Sequence, residues 1–266
     1  RWLSDWSSDV CSSDLCTVLR CDKTYLYSHD DYSLSNYECD SFCEAIRRRI
    51  DGEPLQYITG FQEFMSLNFI VSHDVLIPRQ DTEILVESVL QFANGKECVN
   101  ILDIGTGSGC IAISLAYYAK NSRVIGLDIS KGALEIARKN ARKCGVEEKT
   151  TFLESNLFDN IPLQDIHIIE TNPPYIPVRD IETLERQVKD FEPRSALDGG
   201  MDGLDFYRII VKDSLRYIKP KGLLAFEVGF DQSQEVMNIM EVSFDNLKIV
   251  KDLSGVERVV MGTRSK

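Results

Sequence analysis

The chain has 266 residues, 43% of them hydrophobic, enough to bury the core of one large domain or of one domain with a small appendage. Thirty basic residues against 42 acidic ones give a net charge of -12, which opposes binding to phosphate backbones, where Lys and Arg carry the affinity. No stretch approaches the ~18 consecutive apolar residues of a membrane span, and no basic segment leads into an apolar core at the start, so a cytoplasmic protein without a membrane partner is expected.

Residues 1–15, "RWLSDWSSDVCSSDL", repeat Ser-Ser-Asp and follow neither a helical nor a strand period. The string resembles translated sequencing adapter joined to a broken gene fragment. It is therefore set outside the fold as non-native, and the helical domain over residues 16–58 is expected to be truncated at its start. Within that domain, Ser35 is an N-cap, Tyr37, Phe42, Ile46 and Ile50 form an apolar stripe, and Arg47, Arg48 and Arg49 close the helix as a solvated basic end before the stop signals Gly52 and Pro54. The eight cysteines lie within the first 144 residues without a Cys-x-x-Cys pair or histidines at ligand spacing, which reads as reduced packing thiols and no metal site.

Residues 59–80 alternate apolar and polar positions around short breaks, as a two-stranded hairpin linker does. A catalytic domain over 81–266 opens with a helix capped by Asp81 or Thr82, with Ile84, Leu85, Val89 and Leu90 as its stripe. Strand, glycine turn and helix then repeat. Strands are predicted at Val99 to Ile104, Arg123 to Asp128, Thr151 to Leu153, Ile166 to Glu170, Leu223 to Val228, Leu247 to Lys251 and Glu257 to Met261. Helices are predicted from Cys110 to Tyr118 and from Lys131 to Cys144, the second stopped by Gly145. Such alternation makes an α/β fold with a seven-stranded, mostly parallel sheet covered on both faces.

Sheets of this kind bind ligands beyond the C-terminal ends of their strands. Three features follow strands in this way: the turn Gly105-Thr106-Gly107-Ser108-Gly109, the acid Asp128, and Asn172-Pro173-Pro174-Tyr175. The glycines are spaced Gly-x-Gly-x-Gly, so the pyrophosphate cradle of a dinucleotide fingerprint is not matched. Tight glycines still admit a ligand to the backbone and to helix N-terminal amides, and Asp128 can accept both hydroxyls of a ribose. That is a nucleoside site, and "DIGTGSG" from Asp103 resembles the first motif of S-adenosylmethionine-dependent methyltransferases.

An amide nitrogen, or the exocyclic amine of adenine, is a poor nucleophile because its lone pair is delocalised. Accepting both of its N–H bonds lets the nitrogen pyramidalise toward a methyl donor. The Asn172 side-chain oxygen and the Pro173 carbonyl are suited to this, consecutive prolines stiffen the turn and remove donors, and Tyr175 offers a face for a planar group and a cation. Catalysis would be positioning and electrostatics without a metal.

"EPLQYITG" at 53–60, "VLIPRQDTEILVE" at 75–87, "LDIGTGSG" at 102–109, "NPPYI" at 172–176, "FEPRSAL" at 191–197 and "ERVVMG" at 257–262 resemble, in this order, the peptide chain release factor N5-glutamine methyltransferases. The resemblance implies a helical N-terminal domain, a hairpin linker and a Rossmann-like class I methyltransferase domain. It also implies S-adenosyl-L-methionine as cofactor, held by Asp103, Gly105, Thr106, Gly107, Ser108, Gly109, Asp128, Leu157 and Asn172. The substrate it implies is the glutamine of the Gly-Gly-Gln motif in class 1 release factors, held by Asn172, Pro173, Pro174 and Tyr175, of which Asn172, Pro173 and Tyr175 are catalytic. The partner is then a protein, nucleic acid is disfavoured and a monomer is expected. Two departures stand out: Gln80 replaces a proline in the usual Pro-Arg-Pro-Asp, and Ser155-Asn156-Leu157 replaces Ser-Asp-Trp or similar, which weakens the expected adenine pocket. Two other readings are an adenine-N6 methyltransferase on DNA or RNA, which needs a basic region, and a non-catalytic release-factor-binding module.

Overall fold

A computed structural model describes residues 8–29, 31–159, 161 and 165–266. Residues 1–7 of the adapter-like segment lie outside them. Residues 8–15 are helical: α1 (Ser8–Leu19) runs through the boundary drawn at residue 16. It is followed by α2 (Lys23–Ser28), α3 (Asn36–Ile50) and α4 (Leu55–Thr59).

Ser35 caps α3 as predicted, in a reciprocal capping box with Glu38. The stripe is shifted: Tyr37 and Ile50 are exposed, and Ala45 is the buried residue. The basic end also differs from expectation. Arg48 forms a bidentate pair with buried Glu53, and Arg49 donates to the Glu53 carbonyl. These arginines hold the turn after the helix, an arrangement that a local reading of helix-end charge does not reveal.

The hairpin forms as predicted, β1 (Phe61–Phe64) against β2 (Leu67–Ile70). Its turn residues Met65 and Ser66 both have φ near +50°, the backbone of a type I′ turn without the usual Asn-Gly. Long-range bonds hold this disfavoured conformation: the Glu83 carboxylate accepts from Met65 N–H at 2.6 Å and the Tyr118 hydroxyl donates to the Met65 carbonyl at 2.7 Å.

A short 3-10 turn (Gln80–Thr82) leads into α5 (Glu83–Ala93). All seven predicted strands are present: β3 (Val99–Ile104), β4 (Ser122–Asp128), β5 (Thr150–Glu154), β6 (Ile166–Thr171), β7 (Ile218–Glu227), β8 (Phe244–Lys251) and β9 (Glu257–Arg264). Between them lie α6 (Cys110–Tyr118), α7 (Lys131–Lys143), the short α8 (Val178–Ile181) and α9 (Arg186–Lys189), α10 (Asp205–Ser214) and α11 (Ser233–Met240). The strand order is β5-β4-β3-β6-β7-β9-β8, parallel except for β9, which is antiparallel to both neighbours.

Strands β3 and β6 are buried on both faces, and their apolar residues Val99, Ile101, Leu102 and Ile104, and Ile166, Ile168 and Ile169, fall on both sides of the sheet for that reason. One core, built on Leu85, Ile101, Ile113, Leu134 and Ile168, joins α5, α6 and α7 to the sheet; a second, built on Leu102, Ile169, Tyr207, Phe226 and Met240, joins α10 and α11; a smaller third, built on Tyr57, Val71, Val75, Ile77, Ala133 and Ile136, joins α4 and the segment after the hairpin to α7. Among the described residues the cysteines are free thiols, no cluster of metal ligands occurs, and no helix is long and apolar enough to cross a membrane.

Candidate active site

The order of strands reverses between β3 and β6, and the three predicted features meet there. Register makes this quantitative. Leu127, Ile104 and Thr171 lie side by side on β4, β3 and β6, so Asp128, Gly105 and Asn172 follow in the next row. Strands lie about 4.8 Å apart, which puts Asp128 and Asn172 roughly 10 Å from each other across the glycine turn.

The turn is tightly bonded within itself. Gly105 and Thr106 N–H both donate to the Leu127 carbonyl at 2.8 Å, Gly107 N–H to Asp128 Oδ2 at 2.8 Å, and Gly109 N–H to the Thr106 carbonyl at 2.8 Å. The loop amides expected to meet a ligand are therefore largely engaged in shaping the loop. Gly105 and Gly107 have φ of +75° and +54°, and no side-chain atom lies within 4 Å of where a Cβ would project at either; that open space admits a ligand to the backbone. At Gly109 a Cβ would come within 2.8 Å of Ile113, so this glycine serves the packing of α6 on α7.

Asp128 uses one lone pair on each oxygen, for Gly107 N–H and for Ser130 N–H at 2.8 Å, and keeps one on each for a ligand's hydroxyls. Burial raises its pKa, opposed by those backbone donors. Ile129 beside it is 62% exposed, an apolar surface next to Asp128 that was not picked out from the sequence. Leu157 is half-buried in a left-handed conformation with φ +50°, its carbonyl held by the Ser155 hydroxyl at 2.9 Å, and Ser155 N–H donates to the Asp128 carbonyl.

Asp103 departs from its predicted role. It is fully buried beneath the turn, receives the Thr106 hydroxyl at 2.6 Å, and so braces the loop instead of lining its open face. Ser108 is likewise buried. Burial pushes Asp103 up to about 7. Its neighbour across to β6, Glu170, is also fully buried and is held well above the usual carboxylate range by burial and by the charge of Asp103. As carboxylates the facing oxygens would have no donor between them; a proton on Glu170 supplies one.

Asn172, Pro174 and Tyr175 are half-buried and Pro173 is buried. The segment continues as a bridge from Ile176 to Asp198, with Ile176 N–H donating to the Leu197 carbonyl at 3.0 Å. The loop 198–204 seats the Asn-Pro-Pro-Tyr backbone, because a Cβ at Gly199 would come within 2.7 Å of Tyr175 and one at Gly203 within 2.3 Å of its carbonyl. Gln232 donates to the Tyr175 carbonyl at 2.9 Å and accepts from Gly229 N–H at 3.1 Å, tying this turn to the end of β7. Burial, then the nearby Glu227, pushes the Tyr175 phenol up.

Comparison with known proteins identifies the family. Residues 15–60 match the family model for the PrmC N-terminal domain, and residues 96–227 match a methyltransferase domain. The release factor glutamine methyltransferase of Geobacter sulfurreducens is 42% identical over 93% of this chain and 86% of its own length. That of Moorella thermoacetica is 44% identical over 84% of this chain and 79% of its own. The chain belongs to the release factor glutamine methyltransferase family. Among solved structures, a methyltransferase from Pyrococcus furiosus shares the fold, with a TM-score of 0.55 and 12% identity over 76% of this chain and 91% of that one.

The motifs that carry the family resemblance are brought together by bonds between distant segments. Arg79 of "VLIPRQDTE" donates from Nη2 to both carboxylate oxygens of buried Glu192 of "FEPRSAL", at 2.7 and 2.9 Å. Arg258 of "ERVVMG" pairs with Asp81 at 2.7 Å, and the Tyr57 hydroxyl of "EPLQYITG" donates to the Val75 carbonyl at 2.6 Å. Gln80 leaves Arg79 in place, so the departure from Pro-Arg-Pro-Asp does not remove its pairing. Asn140 on α7 was not picked out from sequence. Its amide accepts from Ile70 N–H at 2.7 Å and donates to the carbonyls of Ile70 and Ser108 at 3.0 and 2.9 Å, joining hairpin to glycine turn.

The two backbone bonds to Asp128 give a direct test of the cofactor end. Asp128→Ala removes both of them together with the ribose acceptors. With charged hydrogen bonds contributing ~1.5–3 kcal/mol each, S-adenosylmethionine affinity is expected to fall about 100-fold or more by calorimetry. A change below about threefold would remove Asp128 from the site.

Proposed function

We propose that this protein transfers a methyl group from S-adenosylmethionine to the side-chain amide nitrogen of the glutamine in the Gly-Gly-Gln motif of class 1 peptide chain release factors. The observation that carries the reading is the register row itself: a ribose-accepting acid and an amide-accepting Asn-Pro turn sit two strands apart across an open glycine turn. The names of the curated relatives support the same substrate.

The residues present suit that cofactor. Gly105 and Gly107 leave their outer faces clear, Asp128 retains acceptors for vicinal hydroxyls, and Ile129 and Leu157 offer apolar surface nearby. When bound, the cofactor supplies an electrophilic methyl group on a sulfonium sulfur. Asn172 Oδ1 and the Pro173 carbonyl accept the two N–H bonds of the glutamine amide and draw its lone pair out of conjugation. Tyr175 packs against the planar amide, and its ring tolerates the nearby positive charge. Each of these groups is fixed before substrate arrives, since Gln232 and the loop 198–204 hold the turn. A cytoplasmic location fits such a substrate.

The test is transfer of labelled methyl to unmethylated release factor, beside a release factor whose motif glutamine is replaced. Label on the glutamine, absent from the replaced protein, is the expected result. Label on nucleic acid, or none on release factor despite measurable cofactor binding, would overturn the reading.

A further inference from the structure

Asn172 has two faces that differ only in which atom, Oδ1 or Nδ2, they present, and only one orientation accepts an N–H from the substrate. The side chain of Thr82 and the carboxyl of Glu227 lie on its inner side. Thr82 is predicted as a helix cap, yet its hydroxyl makes no cap bond and is 3% exposed. Instead Asn172 Nδ2 donates to Thr82 Oγ1 at 3.4 Å. Glu227 ends β7, one residue past Phe226, which is paired with Thr171; Asn172 and Glu227 are therefore register neighbours on adjacent parallel strands, about 4.8 Å apart in backbone. The Glu227 side chain is 4% exposed, its carboxyl faces Thr82 and Asn172, and its Oε2 is buried without a partner.

We propose that Glu227, acting with Thr82, is a positioning residue that locks the Asn172 amide with its nitrogen inward and its oxygen toward the methyl acceptor. The proposal rests on the reading of Asn172 given above. The logic is one of donor count. A carboxylate only accepts, so it takes the single hydroxyl hydrogen of Thr82; Thr82 Oγ1 must then accept, and what faces it is the Asn172 NH2. The amide nitrogen is thereby turned to the scaffold and Oδ1 is left for substrate. A neutral acid at position 227 can donate, which lets the relay run backwards and the amide turn over.

The groups facing Glu227 are Arg258 on β9, Asp81 ahead of α5, and the phenols of Tyr175 and Tyr207. Burial raises its carboxyl to about 7, against the hydrogen bond from Thr82 and the charge of Arg258. The orienting form is therefore the one present on the alkaline side of neutrality.

Three variants test this: Glu227→Gln, Thr82→Val and Thr82→Ser, each first checked for a wild-type melting profile. Expected for Glu227→Gln is a kcat about 10²-fold lower with KM for S-adenosylmethionine within about threefold, because a misdirected group loses rate and not cofactor affinity. Thr82→Val should lose rate and Thr82→Ser recover it. In the wild type, kcat should rise about tenfold per pH unit below about 7 and then level, and that rise should be absent from Glu227→Gln. The Asn172 side-chain amide resonances, read in the cofactor-free enzyme by nitrogen-15 NMR, should titrate over the same range in the wild type and not in Glu227→Gln. This readout needs no release factor, so it judges the proposal even where methyl transfer to that substrate fails. Wild-type kcat in Glu227→Gln, or amide resonances that ignore both pH and the substitution, would overturn it.

Discussion

Asn172→Ala is expected to lower methyl transfer by about 10²–10³-fold while S-adenosylmethionine still binds within a few-fold of wild type. The side-chain oxygen is one of two acceptors that make the amide nitrogen nucleophilic, and removal of one preorganised group of this kind costs ~3–4 kcal/mol of barrier. The affinity is expected to persist because the glycine turn and Asp128 are braced independently of Asn172, through Leu127, Thr106 and Ser130. Single-turnover kinetics with bound cofactor separates the two quantities. Equal losses in binding and rate would mean that Asn172 serves the cofactor and not the acceptor.

Glu170→Gln is expected to stabilise the protein at pH 8 and to flatten its pH dependence. Glu170 and Asp103 are fully buried side by side, and burial holds both carboxyls above their unfolded values. The folded state then keeps protons that the unfolded chain releases. By linkage, stability falls as pH rises from the unfolded range near ~4.3 through the folded pKa, by about 1.4 kcal/mol per pH unit for each such group. Glutamine has nearly the same shape and can offer Asp103 an N–H in place of the O–H of protonated Glu170, but it carries no titratable proton. Urea denaturation from pH 5 to 8 should show the two proteins converging at the acid end and the variant more stable at the alkaline end, by about 2–4 kcal/mol. Parallel curves would mean that Glu170 is already ionised in the folded state.

Much of this architecture is legible from local pattern. The seven strands are stretches of strand length rich in apolar residues and bounded by glycine and polar turns, and the Ser35 cap is signalled by Glu38 three residues on. The three parts of the site are legible for the same reason, since each follows a strand. What local pattern does not convey is partnership across the chain. Arg79 finds Glu192 113 residues away, and nothing in the helix-end pattern of Arg47, Arg48 and Arg49 marks Glu53 as the partner of Arg48. Thr82 has the residue type of a cap, and only the fold reveals that its hydroxyl points at Asn172. Asp103 has the motif position of a cofactor ligand, and only burial reveals it as a brace.

The hairpin has the sequence of a linker but the attachments of a foundation. Met65 is fastened to α5 and α6, Asn68 receives Lys143 at 3.2 Å, and Ile70 is clamped on both its backbone groups by Asn140, which in turn holds Ser108 in the glycine turn. For anyone recombining members of this family, residues 61–70 therefore travel with the catalytic domain. A chimera joined inside them would take part of the bracing of its cofactor loop from one parent and the loop itself from the other.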